Sequence, residues 1–366
     1  MTPDSHWTGA LAVPTGPGDC REPAVTVAGE VLHVVWTQGS NLYHANLSGG
    51  SWSAPTQVAV GSQAALATAP DGAVHCLFSA QMLGNVEIYH TTWKEAKWAL
   101  PEVVSRTSGV SLSPALVIGK DGSLHAAWSD TTPGYATIYY GRRVEAGWTS
   151  GPIPNGSGSH PAIAVDPGGQ IYVAWQSRSP VTDRFEVFCA QNSQGAWSLP
   201  EDVSDNSQSH AIYPSLAITA QSICHLVWQE DRGGLFCIRH ADRYPNGWSE
   251  NCDLTQSDAD CRLPHVCTNR QGYPQTVWAE GQVVTHRIRP AERNAAWWQV
   301  EAACDPGGAV SHLAAAITGK GELYVVWAAY AEGETRRLQY THRESVFKPA
   351  VFMPVASRGV VAEPVS

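Results

Sequence analysis

The chain has 366 residues, of which 43% are hydrophobic and only 15% are charged, so it is long and apolar enough to fold around a large core. Its formal net charge of −10 argues against nucleic acid as a partner, and its apolar runs are too short for membrane insertion. The 33 glycines, 24 prolines and 15 tryptophans favour a turn-rich β protein over a helical one.

The N-terminal segment has neither a basic start nor an apolar core, so it does not resemble a signal peptide. We therefore expect a cytoplasmic protein, or a secreted one if a leader has been removed. Residues 6–13 (HWTGALAV) match segments that recur later in the chain, and we interpret them as an outer strand of the last repeat.

One sequence motif then recurs about every 50 residues: an apolar run that ends in an aromatic residue and is followed by a polar loop. An x-Pro segment and a tight Asp-Gly or Gly-Gly turn precede it, and an aromatic-rich strand and a Gly-x-Trp segment follow it. These pieces are four short strands, A to D. The strand-B aromatics are Trp36, Phe78, Trp128, Trp175, Trp228, Trp278 and Trp327.

Repeated four-stranded units bury their faces and protect their edges when they pack radially. The sequence thus predicts one all-β domain over residues 1–366, a seven-bladed β-propeller of four-stranded antiparallel blades. The N-terminal strand, 6–13, would close the ring, and residues 346–366 would be an outer strand or a tail. The tryptophans would fill the spaces between blades.

The nine cysteines show no zinc-like spacing, and whether Cys252 pairs with Cys261 is left open. Histidines recur three residues before the strand-B aromatic, which spreads them around the ring. We expect structural histidines, hydrogen-bonded between blades, and neither a metal nor another cofactor.

The repeat resembles the BNR-repeat, or sialidase-like, β-propellers. This resemblance implies three arginines that clamp a sugar carboxylate, a Tyr–Glu nucleophile and an acidic acid/base residue. The segments Cys20-Arg21-Glu22-Pro23 and Cys261-Arg262-Leu263-Pro264 resemble the family's first arginine motif. The chain departs from the family in its blade number, seven against six, and in its degraded Asp boxes, so no catalytic residue is assigned.

The D–A and B–C loops are long and should lie at one end of the ring, where ligand-binding groups concentrate on rigid scaffolds. The predicted ligand-binding residues are charged side chains of these loops: Arg21, Asp130, Arg178, Arg184, Glu230, Asp231, Arg232, Arg262 and Glu280.

The favoured hypothesis is a non-catalytic recognition module that binds a carbohydrate or a protein partner through these loops. One alternative is a sialidase-like glycoside hydrolase whose arginines bind an acidic sugar. Another is a docking subunit of a larger assembly. Neither nucleic acid nor a membrane is expected as a partner.

Overall fold

A computed structural model describes residues 7–82, 84–205, 209–255, 258–268, 274–281, 283–288, 299–330 and 334–343. Every regular element in these residues is a β-strand, and the protein is an all-β propeller. No helix that could cross a membrane occurs in this part of the chain. Residues 346–366 lie outside the described ranges.

The strands of the described residues form seven antiparallel sheets, numbered here in chain order, and the short first strand pairs with the last sheet. The first strand is β1 (Leu11–Ala12). Sheet 1 has β2 (Cys20–Ala28), β3 (Val31–Gln38), β4 (Asn41–Ser48), β5 (Ser51–Trp52) and β6 (Thr56–Val60). Sheet 2 has β7 (Ser62–Thr68), β8 (Val74–Ala80), β9 (Glu87–Lys94), β10 (Lys97–Trp98) and β11 (Glu102–Val103). Sheet 3 has β12 (Ser111–Ile118), β13 (Leu124–Asp130), β14 (Thr137–Val144) and β15 (Gly147–Ser157).

The remaining four sheets repeat this order. Sheet 4 has β16 (Ser159–Val165), β17 (Ile171–Arg178), β18 (Phe185–Ser193), β19 (Ala196–Trp197) and β20 (Glu201–Asp202). Sheet 5 has β21 (Ala211–Ile218), β22 (Cys224–Arg232), β23 (Leu235–Tyr244), β24 (Gly247–Trp248) and β25 (Cys252–Asp253). Sheet 6 has β26 (Cys261–Thr268), β27 (Pro274–Glu280), β28 (Val283–Ile288) and β29 (Gln299–Cys304). Sheet 7 has β30 (Ala309–Ile317), β31 (Leu323–Tyr330) and β32 (Arg337–Arg343), with β1 at its edge.

The second strand of each sheet is its most apolar, because both of its faces pack against neighbouring sheets. All seven predicted strand-B aromatics lie on these strands and are fully buried. Trp228, for example, belongs with Tyr172 and Leu226 to one core cluster shared by sheets 4 and 5. Truncating such a ring to alanine costs about 3–5 kcal/mol, so these residues hold the sheets together.

The innermost strands contact one another in sequence order from β2 to β30, and β30 also contacts β2. At the outer edge of sheet 7, Leu11 pairs with Tyr340 and Ala12 with Gln339. Asp19 accepts hydrogen bonds from the guanidinium of Arg336, at 2.8 and 2.5 Å. The two ends of the described chain therefore meet on sheet 7.

Candidate functional site

A cavity of about 480 Å3 lies where the seven innermost strands approach one another. It falls within the size range of small-ligand sites in proteins. Every sheet contributes residues of its innermost strand to the cavity wall, so side chains at equivalent repeat positions can be compared directly.

Each innermost strand has a β-bulge near its start, where its register with the second strand shifts. In six sheets one bulge residue adopts a left-handed conformation, with φ from 52° to 58°. Non-glycine residues in this region carry strain, and bulges of this kind re-aim a side chain near a functional site. The six bulge residues are Glu22, Gln63, Ser113, His160, Tyr213 and Leu263.

Several bulge residues are held in place by the preceding sheet, whose side chains accept hydrogen bonds from their backbone N–H groups. In sheets 2 and 3 the acceptors are themselves bulge residues, and in sheets 5 and 6 they are buried glutamines of the second strand. The bonds are Gln63 to Glu22 (3.0 Å), Ser113 to Gln63 (2.9 Å), Tyr213 to Gln176 (2.9 Å) and Leu263 to Gln229 (3.0 Å).

The cavity wall is chemically uneven. At the position that pairs with the residue just before the strand-B aromatic, five sheets carry alanine, while sheets 5 and 6 carry Ser215 and His265. His160 and Tyr213 are the bulge residues of sheets 4 and 5. These four polar side chains form one arc of the wall, which we call the polar arc. The alanines opposite and beside it are Ala24, Ala65, Ala115, Ala162 and Ala314.

His160 and Tyr213 are held as a pair across the boundary of sheets 4 and 5. Their rings lie edge to face with centroids 5.0 Å apart. Gln176 accepts the N–H of Tyr213, and its Nε2 donates to Oγ of Ser159 at 3.5 Å. That hydroxyl lies 3.1 Å from Nδ1 of His160. One buried glutamine thus positions both aromatic side chains.

The two histidines of the polar arc are neutral at pH 7. Burial lowers the pKa of His265 to about 4. Residue His160 is exposed overall, but it lies in a concave wall where nearby protein atoms displace part of its hydration. This partial desolvation lowers the pKa of His160 as well. A neutral imidazole can accept a hydrogen bond or a proton.

The Nδ1 atom of His265 is buried and has no hydrogen-bond partner among the described residues. An unpaired buried polar group is costly, so such atoms often mark places that a ligand or water satisfies. The atom belongs to the one histidine that replaces the repeat's alanine. The cavity wall, as far as the structure describes it, contains no Asp, Glu, Lys or Arg.

The predicted arginines lie away from this wall, and four of them contact nearby acids. Arg178 pairs with Asp183 of its own loop at 2.8 Å, and Arg232 makes two bonds to Asp253 at 2.9 and 2.7 Å. Arg262 contacts Asp260 at 2.5 Å and lies over the ring of Phe236. Arg21 donates to the carbonyl of Gly39 and lies 3.9 Å from Asp19, while Arg184 accepts a bond from Ser179 through its backbone carbonyl.

The predicted acids are bound into the scaffold. Asp130 is fully buried and accepts hydrogen bonds from Ser111, Thr107 and Thr132. Burial alone would raise the pKa of Asp130, but these bonds hold it below its ordinary value. Glu230 and Glu280 accept the indole N–H of Trp228 and Trp278, and Asp231 accepts the N–H of Gly234. A ligand-binding role for the nine loop residues stays a prediction.

The repeated histidines bond within blades rather than between them, so that part of the prediction was wrong. The strand-B histidine lies across from a strand-C side chain of the same sheet, because these strands are antiparallel neighbours. His33 and His44 stack with their ring nitrogens 3.0 Å apart, and His75 and His90 do the same. The side chain of His286 lies outside the described residues.

In sheet 5 the corresponding histidines are His225 and His240, and both contact Asp242. Oδ1 of Asp242 lies 2.6 Å from Nδ1 of His225 and 2.8 Å from Nε2 of His240. Two ligands of one tetrahedral zinc ion would lie about 3.3 Å apart, so these shorter distances fit hydrogen bonds better than metal ligation. No disulfide joins Cys252 and Cys261.

Sequence reasoning missed His160 and His265 as site residues. Their positions were interpreted as features of the repeat, because x-Pro segments open most of the innermost strands. The available signal was departure from the repeat itself: one histidine stands where five repeats have alanine.

No family model matches this sequence, and no curated protein does. Solved structures match at low identity. Polysaccharide lyase Uly1 is 12% identical with a TM-score of 0.59, over 92% of this chain and 91% of the lyase. An ulvan lyase bound to -[GlcA(1-4)Rha3S]- is 13% identical with a TM-score of 0.59, over 91% and 95%. An α-L-arabinanase from Penicillium chrysogenum complexed with arabinobiose is 15% identical with a TM-score of 0.51, over 76% and 92%.

These likenesses support the propeller fold. The named structures are carbohydrate-active enzymes, and none of the three is a sialidase. Membership of the sialidase-like family in particular does not follow from them.

Proposed function

We propose that the seven sheets are the blades of one closed ring, and that its central cavity binds a carbohydrate through the polar arc. The single observation that carries this proposal is the arc itself: His160, Tyr213, Ser215 and His265 in a wall whose other side chains, apart from Ser113, are apolar. The other repeats form the same innermost strands without these polar side chains, although Oγ of Ser215 also accepts the N–H of Val266 in sheet 6 at 3.1 Å.

The chemistry of the arc suits a sugar. Tyr213 is 41% exposed, and an exposed aromatic ring offers a flat apolar face together with a polar edge. Neutral imidazoles beside it can accept hydrogen bonds from sugar hydroxyls, and the unpaired Nδ1 of His265 would gain a donor. The carbohydrate-active neighbours support the same ligand class.

The arc favours a neutral sugar over an acidic one. Recognition of a sugar carboxylate uses arginine, whose planar fork matches two oxygens. The described cavity wall contains no arginine, and four of the five predicted arginines have acids close by. The sialidase-like alternative, which needs three convergent arginines, is therefore not our proposal.

A second candidate function is catalysis at the same arc, and the pairing of His160 with Tyr213 favours it. A neutral imidazole can remove a proton α to the carboxylate of a uronate residue. The C–O bond to the leaving sugar then breaks as a C=C bond forms, and the tyrosine hydroxyl supplies a proton to the leaving oxygen. This elimination would require an acidic substrate, which separates it from the first candidate.

A panel of oligosaccharides tests both candidates. Titration calorimetry with matched neutral and uronate-containing oligomers should give binding to a neutral member. Each mixture is then examined for ultraviolet absorbance of an unsaturated product. Absorbance from uronate oligomers would favour the second candidate, and no binding to any member would contradict both. Binding of a protein partner and membership of a larger assembly stay hypotheses that this panel does not address.

A further inference from the structure

A second site lies at the outer edge of sheet 5, and it centres on a cysteine. Cys252 is exposed, whereas seven of the described cysteines are buried or partly buried with a raised thiol pKa, as burial does to Cys189, Cys224 and Cys267. Only an exposed sulfur can meet an electrophile from solution.

The side chains of Cys252, His240 and Asp242 lie in a row at this edge. Cys252 on β25 lies directly opposite His240 on β23, and its Sγ is 3.5 Å from Nδ1 of the histidine. The other ring nitrogen, Nε2, is 2.8 Å from Oδ1 of Asp242. His240 and Asp242 are each 2% exposed, so the packing fixes the imidazole between the thiol and the carboxylate. A nucleophile, a base and a residue that orients the base form the general pattern of an activated nucleophile.

Sheet 2 shows what this position accommodates. There Glu102 lies opposite His90, in the register that Cys252 has with His240. Its Oε1 is 2.8 Å from Nδ1 of His90. The repeat thus places an anion against this histidine nitrogen in sheet 2, and a thiolate would take the same place in sheet 5.

The surrounding charges favour the thiolate. Asp242 is a buried carboxylate and needs a cation beside it, which His240 becomes when it takes the thiol proton. On the same face, His225 contacts Asp242 at 2.6 Å and the hydroxyl of Tyr244 donates to its Oδ2 at 3.1 Å. Cys261, Val266 and Trp278 of sheet 6 share an apolar cluster with Ile238, which lies on this face.

We propose that Cys252 is a nucleophilic thiol, activated by His240 and Asp242, and the site at which small soft electrophiles modify this protein. In the alkylation step, the thiol proton passes to Nδ1 of His240 and the sulfur attacks the electrophilic carbon. The S–C bond forms as the carbon–halide bond breaks, and the halide leaves with the electron pair. The site is on the outer strand of sheet 5, whereas the cavity is lined by innermost strands, so this inference is independent of the proposed function.

The test is alkylation of the full-length protein by iodoacetamide between pH 5 and 9, with the rate at each cysteine measured by peptide mass spectrometry. We expect Cys252 to react first, with a rate midpoint well below pH 8.5. A thiol pKa two units below 8.5 raises the thiolate fraction at pH 6 about 80-fold and lowers intrinsic nucleophilicity about eightfold. The wild-type protein should therefore react about tenfold faster at pH 6 than Asp242→Asn.

The matched control is Glu102→Gln, which changes the equivalent position in sheet 2 and should leave the rate at Cys252 unchanged. The buried cysteines report on folding, since rapid alkylation of Cys76 or Cys224 would show that Asp242→Asn has unfolded. In that case the proposal is tested by the pH dependence of alkylation at Cys252 in the wild-type protein alone. A midpoint at or above pH 8.5, or equal rates in a folded Asp242→Asn protein, would overturn the proposal.

Discussion

The two sides of the central cavity are built on the same backbone and differ in chemistry. Sheets 1 to 3 present alanine after the bulge, at Ala24, Ala65 and Ala115, while sheets 5 and 6 present Ser215 and His265. Both sides have the same bulge, and both have a buried aromatic behind it. The fold therefore does not account for the polar side chains, and the difference between the sides identifies the site.

The same comparison separates structural strain from functional strain. Left-handed bulge residues occur on both sides, as at Ser113 and at Tyr213, so the strained backbone is a property of the repeat. What differs is the side chain that the bulge directs into the cavity. In a protein built of repeats, strain alone is a weak indicator of function, and a strained position with an unusual side chain is a stronger one.

The largest expected effect tests the shared scaffold. Trp128→Ala in sheet 3 and Trp228→Ala in sheet 5 should each lower the free energy of unfolding by about 3–5 kcal/mol, because both rings are fully buried. Urea denaturation of the two variants measures this. If one were tolerated and the other not, the two sides would differ in packing, and the comparison would no longer isolate the site.

The next effect is an acid sensitivity that comes from the structural histidines. Burial lowers the pKa of His33 and of His75 to about 4, against an ordinary 6.5. As the pH falls, these histidines take up protons in the unfolded state before they do so in the folded state. Their contribution to the free energy of unfolding is therefore fully present above pH 6.5 and is lost between pH 6.5 and 4. Each histidine contributes roughly 2 kcal/mol of that loss by pH 5.

Urea midpoints at pH 7 and pH 5 measure this loss. His33→Gln should reduce the difference between the two midpoints, while His160→Gln should change it less, because residue His160 is exposed and His33 is buried. Equal stability of the wild-type protein at both pH values would contradict the assignment of neutral buried histidines.

Tyr213→Ala addresses the site directly. Aromatic residues at the centre of a binding site commonly contribute about 2 kcal/mol, so affinity for the bound oligosaccharide should fall about 30-fold. Ser113→Ala changes the equivalent bulge residue in sheet 3 and is the matched control, with an expected change below about twofold. Calorimetric titration gives both affinities. A similar loss in the two variants would show that the bulge, and not the polar arc, governs binding.

Part of this molecule follows from its sequence for clear physical reasons. The spacing of Trp36, Trp128 and Trp228 indicates repeated buried strands, because large apolar rings at a constant interval must fill equivalent spaces. The site is harder to predict, because it depends on which positions of an innermost strand meet at the centre. The charges of Arg178 and Arg232 suggested binding, yet each lies beside an acid that only the folded loops bring close. A residue such as His265 stands out only once the repeats are aligned position by position.

The smallest effect on the scaffold is expected from the most informative substitution, His265→Ala, which gives sheet 6 the alanine that five other sheets have at this position. The change removes a buried Nδ1 that lacks a partner among the described residues, so stability should stay within about 1 kcal/mol of the wild type or rise. Affinity for the oligosaccharide should nevertheless fall about tenfold, because a hydrogen bond to the ligand is lost. Urea denaturation and calorimetry on one preparation measure both quantities. A large loss of stability with unchanged binding would mean that His265 serves the packing of sheet 6, and the polar arc would then be reduced to the pair of His160 and Tyr213.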